Sequence, residues 1–195
     1  MTATSLGPIV WAIGVTAWFI IRYPYARRAR RTQTLRKVGA TRERLLLSGA
    51  TLGLFAIPAA YLVTGGPRAA NYPLNFVAVA IGAALFVVSL WLFRRSHKDL
   101  GRNWSASLEI RSEHRVVRGG VYARIRHPMY ASFWLWGLAQ AFLLPNAVAA
   151  LSGLVFVGIL FFARVRHEEQ MLIAALGEDY RVYMGETKRI IPGIY

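Results

Sequence analysis

Residues 128–163 read PMYASFWLWGLAQAFLLPNAVAALSGLVFVGILFFA, 36 residues without a charge. Such a run is too long for one helix across roughly 30 Å of hydrocarbon, which needs about 20 residues. Pro145-Asn146 near its middle is a turn signal. The run therefore predicts a helical hairpin, 128–144 followed by 147–163. Three more uncharged stretches, 1–21, 45–67 and 69–93, each have the length of one crossing. The expectation is an all-α integral membrane protein with five transmembrane helices, including the hairpin, folded as one domain over 1–195.

Composition agrees: 55% of the 195 residues are hydrophobic and 17% are charged. The formal net charge is +15, a value that also suits nucleic-acid binding, but its distribution argues for topology instead. With five spans, 23 of the 24 Lys and Arg fall on one side, and only Arg68 falls on the other. The positive-inside rule makes the basic side cytoplasmic and the N-terminus external. The same charge favours anionic lipid headgroups. The basic clusters lack a nucleic-acid reading motif, so no nucleic-acid partner is expected. No basic n-region precedes the first apolar stretch, which argues against a cleaved signal peptide. Cysteine is absent, which removes disulfides, thiolate chemistry and cysteine metal sites. Residues 27–44 form a basic connector, compatible with an interfacial helix. Gly49 and Gly53 form a G-x-x-x-G that permits close helix approach, read as packing within the bundle.

All nine acidic residues and all four histidines fall on the basic side, which places any chemistry there. RIRHPMY, residues 124–130, sits at the lip of the hairpin. Pro128 suits the first turn of a helix, where its missing N–H costs nothing. His127 then falls near the N-cap, and the free N–H groups of the helix start suit a carboxylate or phosphate ligand. Tyr130 can face the same cavity. The plain alternative is an interfacial anchor of Arg and Tyr at headgroup level.

After the hairpin comes ARVRHEEQML. Arg164 and Glu168 are four residues apart and share a helix face. They make either a simple ion pair or a pair of ligands, the arginine for an anion and the carboxylate for a hydroxyl or ammonium. Glu169 points about 100° away. No second histidine-carboxylate spacing supports a metal, so none is expected. Gly119-Gly120 permits a turn or a close ligand approach. No G-x-G-x-x-G, P-loop, nucleophile elbow or H-E-x-x-H is present.

HRVVRGGVYARIRHPMY (114–130), an apolar hairpin and RVRHEEQMLIAALGEDYRVYM (164–184) together resemble the isoprenylcysteine carboxyl methyltransferase family. HKDLGRNWSASLE (97–109) is similar to the segment before the motif in prokaryotic members, and the likeness extends over about 97–192. The resemblance implies a membrane methyltransferase that uses S-adenosyl-L-methionine. Carried across, it assigns cofactor binding to His114, Arg115, Val116, Val117, Tyr122, His127, Pro128, Met129, Tyr130 and Glu168. Arg164 takes the catalytic, substrate-contacting role, and a further contact near Ser107, Glu109 or Glu169 stays unassigned. The implied partners are S-adenosylmethionine, a lipophilic or prenylated acceptor and membrane lipids. A carboxylate such as that of a prenylcysteine is the expected acceptor. A phospholipid amine methyltransferase, a nicotinamide-dependent membrane reductase and a non-catalytic scaffold are the alternatives.

Overall fold

A computed structural model describes residues 2–29, 36–37, 40–101, 109–110 and 116–195. Helix α1 (Ala3–Ala29) runs eight residues beyond the uncharged stretch that predicts it. Helix α2 (Ala40–Thr51) passes through a π turn at Leu52–Ala56 into α3 (Ile57–Thr64), so the second apolar stretch forms one rod. Then follow α4 (Phe76–Leu100), α5 (Pro128–Leu143), α6 (Ala147–Leu176) and α7 (Glu178–Glu186). One short antiparallel pair, β1 (Arg36–Lys37) with β2 (Glu109–Ile110), is the only sheet among the described residues.

The hairpin forms, but its arms are unequal. Helix α5 has 16 residues, about 24 Å at 1.5 Å per residue. Helix α6 has 30 and continues past Ala163 without a break. Four helices are long and apolar enough to cross a membrane: Ala3–Arg28, Thr41–Thr64, Phe76–Leu100 and Ala147–Leu176. The fifth expected crossing corresponds to α5, which falls short of that length. Outward-facing Ile13, Val77, Val87 and Phe162 are each more than 60% exposed, as lipid-facing side chains are.

The turn between α5 and α6 is tied down by polar bonds. Asn146 caps α6 by accepting from Ala149 N at 3.1 Å, and its amide donates to Pro67 O and Asn71 Oδ1 at 2.9 and 2.7 Å. The Tyr72 hydroxyl donates to Leu144 O at 2.8 Å. The Tyr72 bond satisfies a carbonyl that the end of α5 leaves without a helical partner.

Apolar contact between helices contributes little in lipid, so close packing and polar ties hold the bundle. Trp136 and Gln140 are fully buried at its centre. Gln140 Nε2 donates to Gly53 O, Ala149 O and Ser152 Oγ, while its Oε1 accepts from Trp11 Nε1 at 3.2 Å. Ser152 Oγ also donates to Gly53 O, at 2.7 Å. The π turn shifts the normal i→i−4 ladder, and side chains of α5 and α6 take up the Gly53 carbonyl. The G-x-x-x-G thus serves packing within this chain: a Cβ on Gly53 would lie 2.5 Å from Ser152 O and 2.8 Å from Phe156 Cβ.

Candidate functional site

Beyond Ala163, α6 leaves its apolar stretch and carries Arg164, His167, Glu168 and Glu169 toward the start of α5. His127 is the residue before that start. The residue preceding a proline avoids helical geometry, and His127 adopts φ −125° and ψ 56°, with Pro128 opening the helix. Pro128 has no N–H, and the N–H groups of Met129 and Tyr130 in the same first turn have no intrahelical acceptor.

Two carboxylates one residue apart then serve different elements, as their 100° separation predicts. Glu168 turns to α5, where the Tyr130 hydroxyl donates to its Oε2 at 2.8 Å. Arg164 Nε lies 3.7 Å from the same oxygen, beyond hydrogen-bond reach. That Nε is buried without a hydrogen-bond partner among the described residues. The Arg164 guanidinium also faces the Tyr130 ring, 5.9 Å from its centroid, and its Nη2 sits 3.1 Å from Glu43 Oε1. Arg164 and Glu168 are thus brought together, but as part of a four-residue cluster and not as an isolated pair.

Glu169 turns the other way and is 4% exposed. It accepts from Arg126 Nε at 2.7 Å, His127 Nε2 at 3.2 Å and Arg189 Nη2 at 2.7 Å. An ionised carboxylate only accepts, so His127 Nε2 carries the proton in that bond. The backbone reinforces this junction. Arg126 N donates to Lys188 O at 2.8 Å and His127 N to Arg189 O at 2.9 Å, with Ile125 and Lys188 paired in parallel. Arg126 Nη1 also donates to the Thr187 carbonyl. The bonds to Glu169 raise the Arg189 guanidinium above its usual pKa. His127, proposed from the sequence as a cofactor ligand, uses its imidazole to join the head of α5 to Glu169 of α6, and its backbone N–H to join the segment after α7.

The glycine pair makes a tight turn whose close visitor comes from this chain. Gly120 has φ +62°, and a Cβ there would collide with the Asp99 carboxylate. Asp99 Oδ2 instead accepts from Val121 N at 3.0 Å. The turn buries Tyr122, whose carbonyl accepts from the Tyr183 hydroxyl at 2.7 Å. Burial pushes the Tyr183 phenol up to about 12 and the Tyr122 phenol higher still. Tyr180 and Tyr183 of α7 are both buried, and Tyr183 ties that helix to this turn. Val116 and Val117 lead into the turn half-buried. His114, Arg115, Ser107 and the Glu109 side chain lie outside the described residues.

Sequence reasoning assigned no role to Glu43, Arg126 or Arg189. Glu43 did carry a signal, as the sole acid in the first 98 residues, set in a basic stretch. Gln140 carried one as well, being a strongly polar side chain in an uncharged run, where such groups have partners.

The donors and acceptors suit a polar, zwitterionic cofactor. The first-turn N–H groups of α5 can receive a carboxylate. Glu168 Oε1 makes no hydrogen bond among the described residues and can receive an ammonium or ribose hydroxyl. Around Tyr130 stand Ala50, Leu160, Phe161 and Val165, with Leu46, Leu47, Trp134 and Ile190 packed against them, a wall that suits an apolar tail. No group of three His, Cys, Asp or Glu among the described residues is placed to hold a metal ion.

Residues 83–174 match the model of the isoprenylcysteine carboxyl methyltransferase (ICMT) family. Among curated relatives, protein-S-isoprenylcysteine O-methyltransferase of Schizosaccharomyces pombe is 30% identical over 130 residues, 64% of this chain and 55% of that protein. Protein-S-isoprenylcysteine O-methyltransferase B of Arabidopsis thaliana is 32% identical over 113 residues, 57% of each chain. The human protein-S-isoprenylcysteine O-methyltransferase is 35% identical over 81 residues, 42% of this chain and 28% of its own length. The chain thus spans little more than half the length of the first two relatives. A solved structure of the eukaryotic intramembrane Ras methyltransferase ICMT superposes with a TM-score of 0.55 at 20% identity, covering 82% of this chain and 55% of that one. That likeness concerns the fold, an all-helical integral membrane architecture. The family-model match over residues 83–174, just under half of the chain, makes that segment similar to the isoprenylcysteine carboxyl methyltransferase family.

Proposed function

We propose that this protein transfers a methyl group from S-adenosylmethionine to the carboxylate of a lipophilic acceptor, most simply a prenylcysteine, at the membrane interface. The observation that carries this reading is Arg164. Its guanidinium stands where the apolar wall around Tyr130 meets the polar cluster, and its buried Nε lacks a hydrogen-bond partner among the described residues. The names of the relatives, protein-S-isoprenylcysteine O-methyltransferases, support the same acceptor class.

When bound, S-adenosylmethionine supplies an electrophilic methyl on a sulfonium. The chain's own residues bind, orient and exclude water. Glu168 Oε1 accepts from an ammonium or hydroxyl of the cofactor, and the α5 N-terminus faces its carboxylate. Tyr130 fixes the Glu168 rotamer through its bond to Oε2. Arg164 orients the acceptor carboxylate, for which a planar two-pronged donor is suited. A carboxylate is already ionised near pH 7, so no side chain has to remove a proton. Leu160, Phe161 and Trp134 hold the apolar tail. In this reading the site faces the cytoplasm, as does the C-terminus, because 23 of the 24 basic residues gather at that end.

The test is radiolabelled methyl transfer from S-adenosylmethionine by the purified chain. A prenylcysteine analogue and an ethanolamine lipid are supplied in parallel. Transfer to the carboxylate acceptor is the expected result. Transfer to the amine alone would replace the proposed acceptor class, and transfer to neither would remove the activity.

A further inference from the structure

Residues 190–195 read IIPGIY, an apolar run in the loop after α7. Ile191, Ile194 and Tyr195 are all exposed, Ile194 by 76%. One exposed apolar side chain needs no cause, but a contiguous set marks an interaction surface.

The loop also closes on itself. Gly193 turns the chain at φ +77°. Ile190 N and Ile191 N donate to Tyr195 O, both at 2.7 Å, and Ile194 N and Tyr195 N donate to Ile191 O, both at 3.2 Å. Pro192 has no N–H to satisfy. Of the five N–H groups in residues 190–195, four are thus paired within the loop. In water such pairing is dispensable, because water supplies the partners. Against hydrocarbon it is needed, because an unpaired backbone group there is costly.

The position of the loop points to lipid as well. Ile190 packs against the cluster of Tyr130, Leu160, Phe161 and Val165. The Tyr195 ring lies 6.4 Å from that of Phe161, which lies 5.2 Å from the exposed ring of Phe162. Phe161 precedes Arg164 by three residues, about 4.5 Å of helix rise, and belongs to the apolar stretch of α6. The loop therefore reaches back from the polar end of α6 to its lipid-facing flank. Arg189 holds it there. Its Nη1 donates to the Tyr195 hydroxyl at 3.0 Å, its guanidinium lies 5.4 Å from the centre of that ring, and its Nη2 pairs with Glu169. Tyrosine and basic side chains suit the headgroup layer, and isoleucine the acyl chains beneath it.

We propose that residues 190–195 form an interfacial anchor whose partner is the lipid of the membrane that α6 crosses. Ile191 and Ile194 enter the top of the acyl layer, and Tyr195 and Arg189 stay at headgroup level. Through Arg189 and Glu169 the anchor fixes the depth of the polar end of α6, and with it that of Arg164 and Tyr130. The anchor is independent of which acceptor the site takes.

The chain has no cysteine, so single-cysteine variants of the full chain each carry one nitroxide label. Ile194→Cys is the test. Phe162→Cys, on an exposed position in the apolar stretch of α6, and Arg181→Cys, on the exposed face of α7, are the references. In phosphatidylcholine vesicles, electron paramagnetic resonance reads collisions of the label with oxygen, which concentrates in acyl chains, and with a nickel chelate, which stays in water. We expect oxygen to dominate at position 194, as at 162, and nickel to dominate at 181. Nickel dominance at 194 overturns the anchor. Low access to both colliders means that protein, such as a second copy of the chain, covers the loop, and overturns it too. Ile191→Cys takes the place of Ile194→Cys if that variant does not reconstitute, with the same outcomes. Methyl transfer by the parent chain is measured separately, so loss of the anchor leaves the proposed function standing.

Discussion

The Tyr130 hydroxyl donates to Glu168 Oε2 at 2.8 Å, joining the first turn of α5 to the polar extension of α6. That bond engages one carboxylate oxygen, while the other, Oε1, makes no hydrogen bond among the described residues. Glu168→Ala removes both, and we expect S-adenosylhomocysteine affinity to fall about tenfold or more, the value of one charge-assisted bond. Tyr130→Phe removes only the positioning bond and should cost a smaller factor, about threefold. Calorimetric titration of both variants checks the order. Equal affinities for parent and Glu168→Ala would take Glu168 out of the cofactor site.

Glu169 makes the contrasting case, because its three donors leave it little to offer a ligand. Arg126 and Glu169 are 10% and 5% exposed at their side chains, and Arg189 is 21% exposed. Removing the carboxylate leaves two guanidiniums crowded in a poorly solvated junction, a loss of about 3 kcal/mol. Glu169→Ala should lower the melting temperature in detergent. It should also speed tryptic cleavage after Lys188 and Arg189, whose backbone is paired to residues 126 and 127. A variant as heat- and trypsin-resistant as the parent would show that the junction is dispensable.

Gly53 offers a test of packing free of charge effects. A methyl there meets the Ser152 carbonyl at 2.5 Å, so the π turn and α6 must move apart. Overpacking of this kind costs about 1–3 kcal/mol, and the same movement stretches the bonds that Gln140 and Ser152 make to Gly53 O. Gly53→Ala should therefore be more destabilising than Gly49→Ala, where the nearest atom is the flexible Phe156 ring at 3.1 Å. Thermal unfolding of the two variants side by side gives the comparison, and an equal or reversed order would refute it.

These residues also show where sequence reading succeeds and where it stops. Pro145-Asn146 announces the hairpin because proline and asparagine act locally. The i,i+4 spacing of Arg164 and Glu168, and the 100° offset of Glu169, follow from helix geometry alone. The run through Ala163 into Leu176 is harder to see, since charge ends the apolar pattern without ending the helix. The π turn at Leu52–Ala56 has the same apolar composition as its flanks, so nothing local distinguishes it. The partners of Arg164 and Glu169 were out of reach for another reason. Glu43 is 121 residues from Arg164, and Arg126 and Arg189 flank Glu169 at separations of 43 and 20. No periodicity connects positions so far apart. Only the packing of α2 and of the segment after α7 against α6 brings them together.

Arg164 decides between structural and functional readings most directly. At a solvated helix end, a pair four residues apart contributes no more than about 0.5 kcal/mol. Here the guanidinium is 12% exposed and faces two carboxylates, so Arg164→Ala should cost more stability than such a pair, and Glu43 and Glu168 are left to repel one another. Stability alone therefore does not separate the readings. Arg164→Lys does, because lysine keeps the charge between Glu43 and Glu168 but lacks the planar fork that grips a carboxylate by two parallel bonds. We expect Arg164→Lys to fold and to bind S-adenosylhomocysteine close to the parent's affinity, while methyl transfer to the prenylcysteine analogue drops at least tenfold. The two measurements belong on the same preparation, so that a folding loss is visible as a cofactor-binding loss. Near-parental turnover in Arg164→Lys would show that a point charge suffices, and would reduce Arg164 to a structural counter-ion for Glu43 and Glu168.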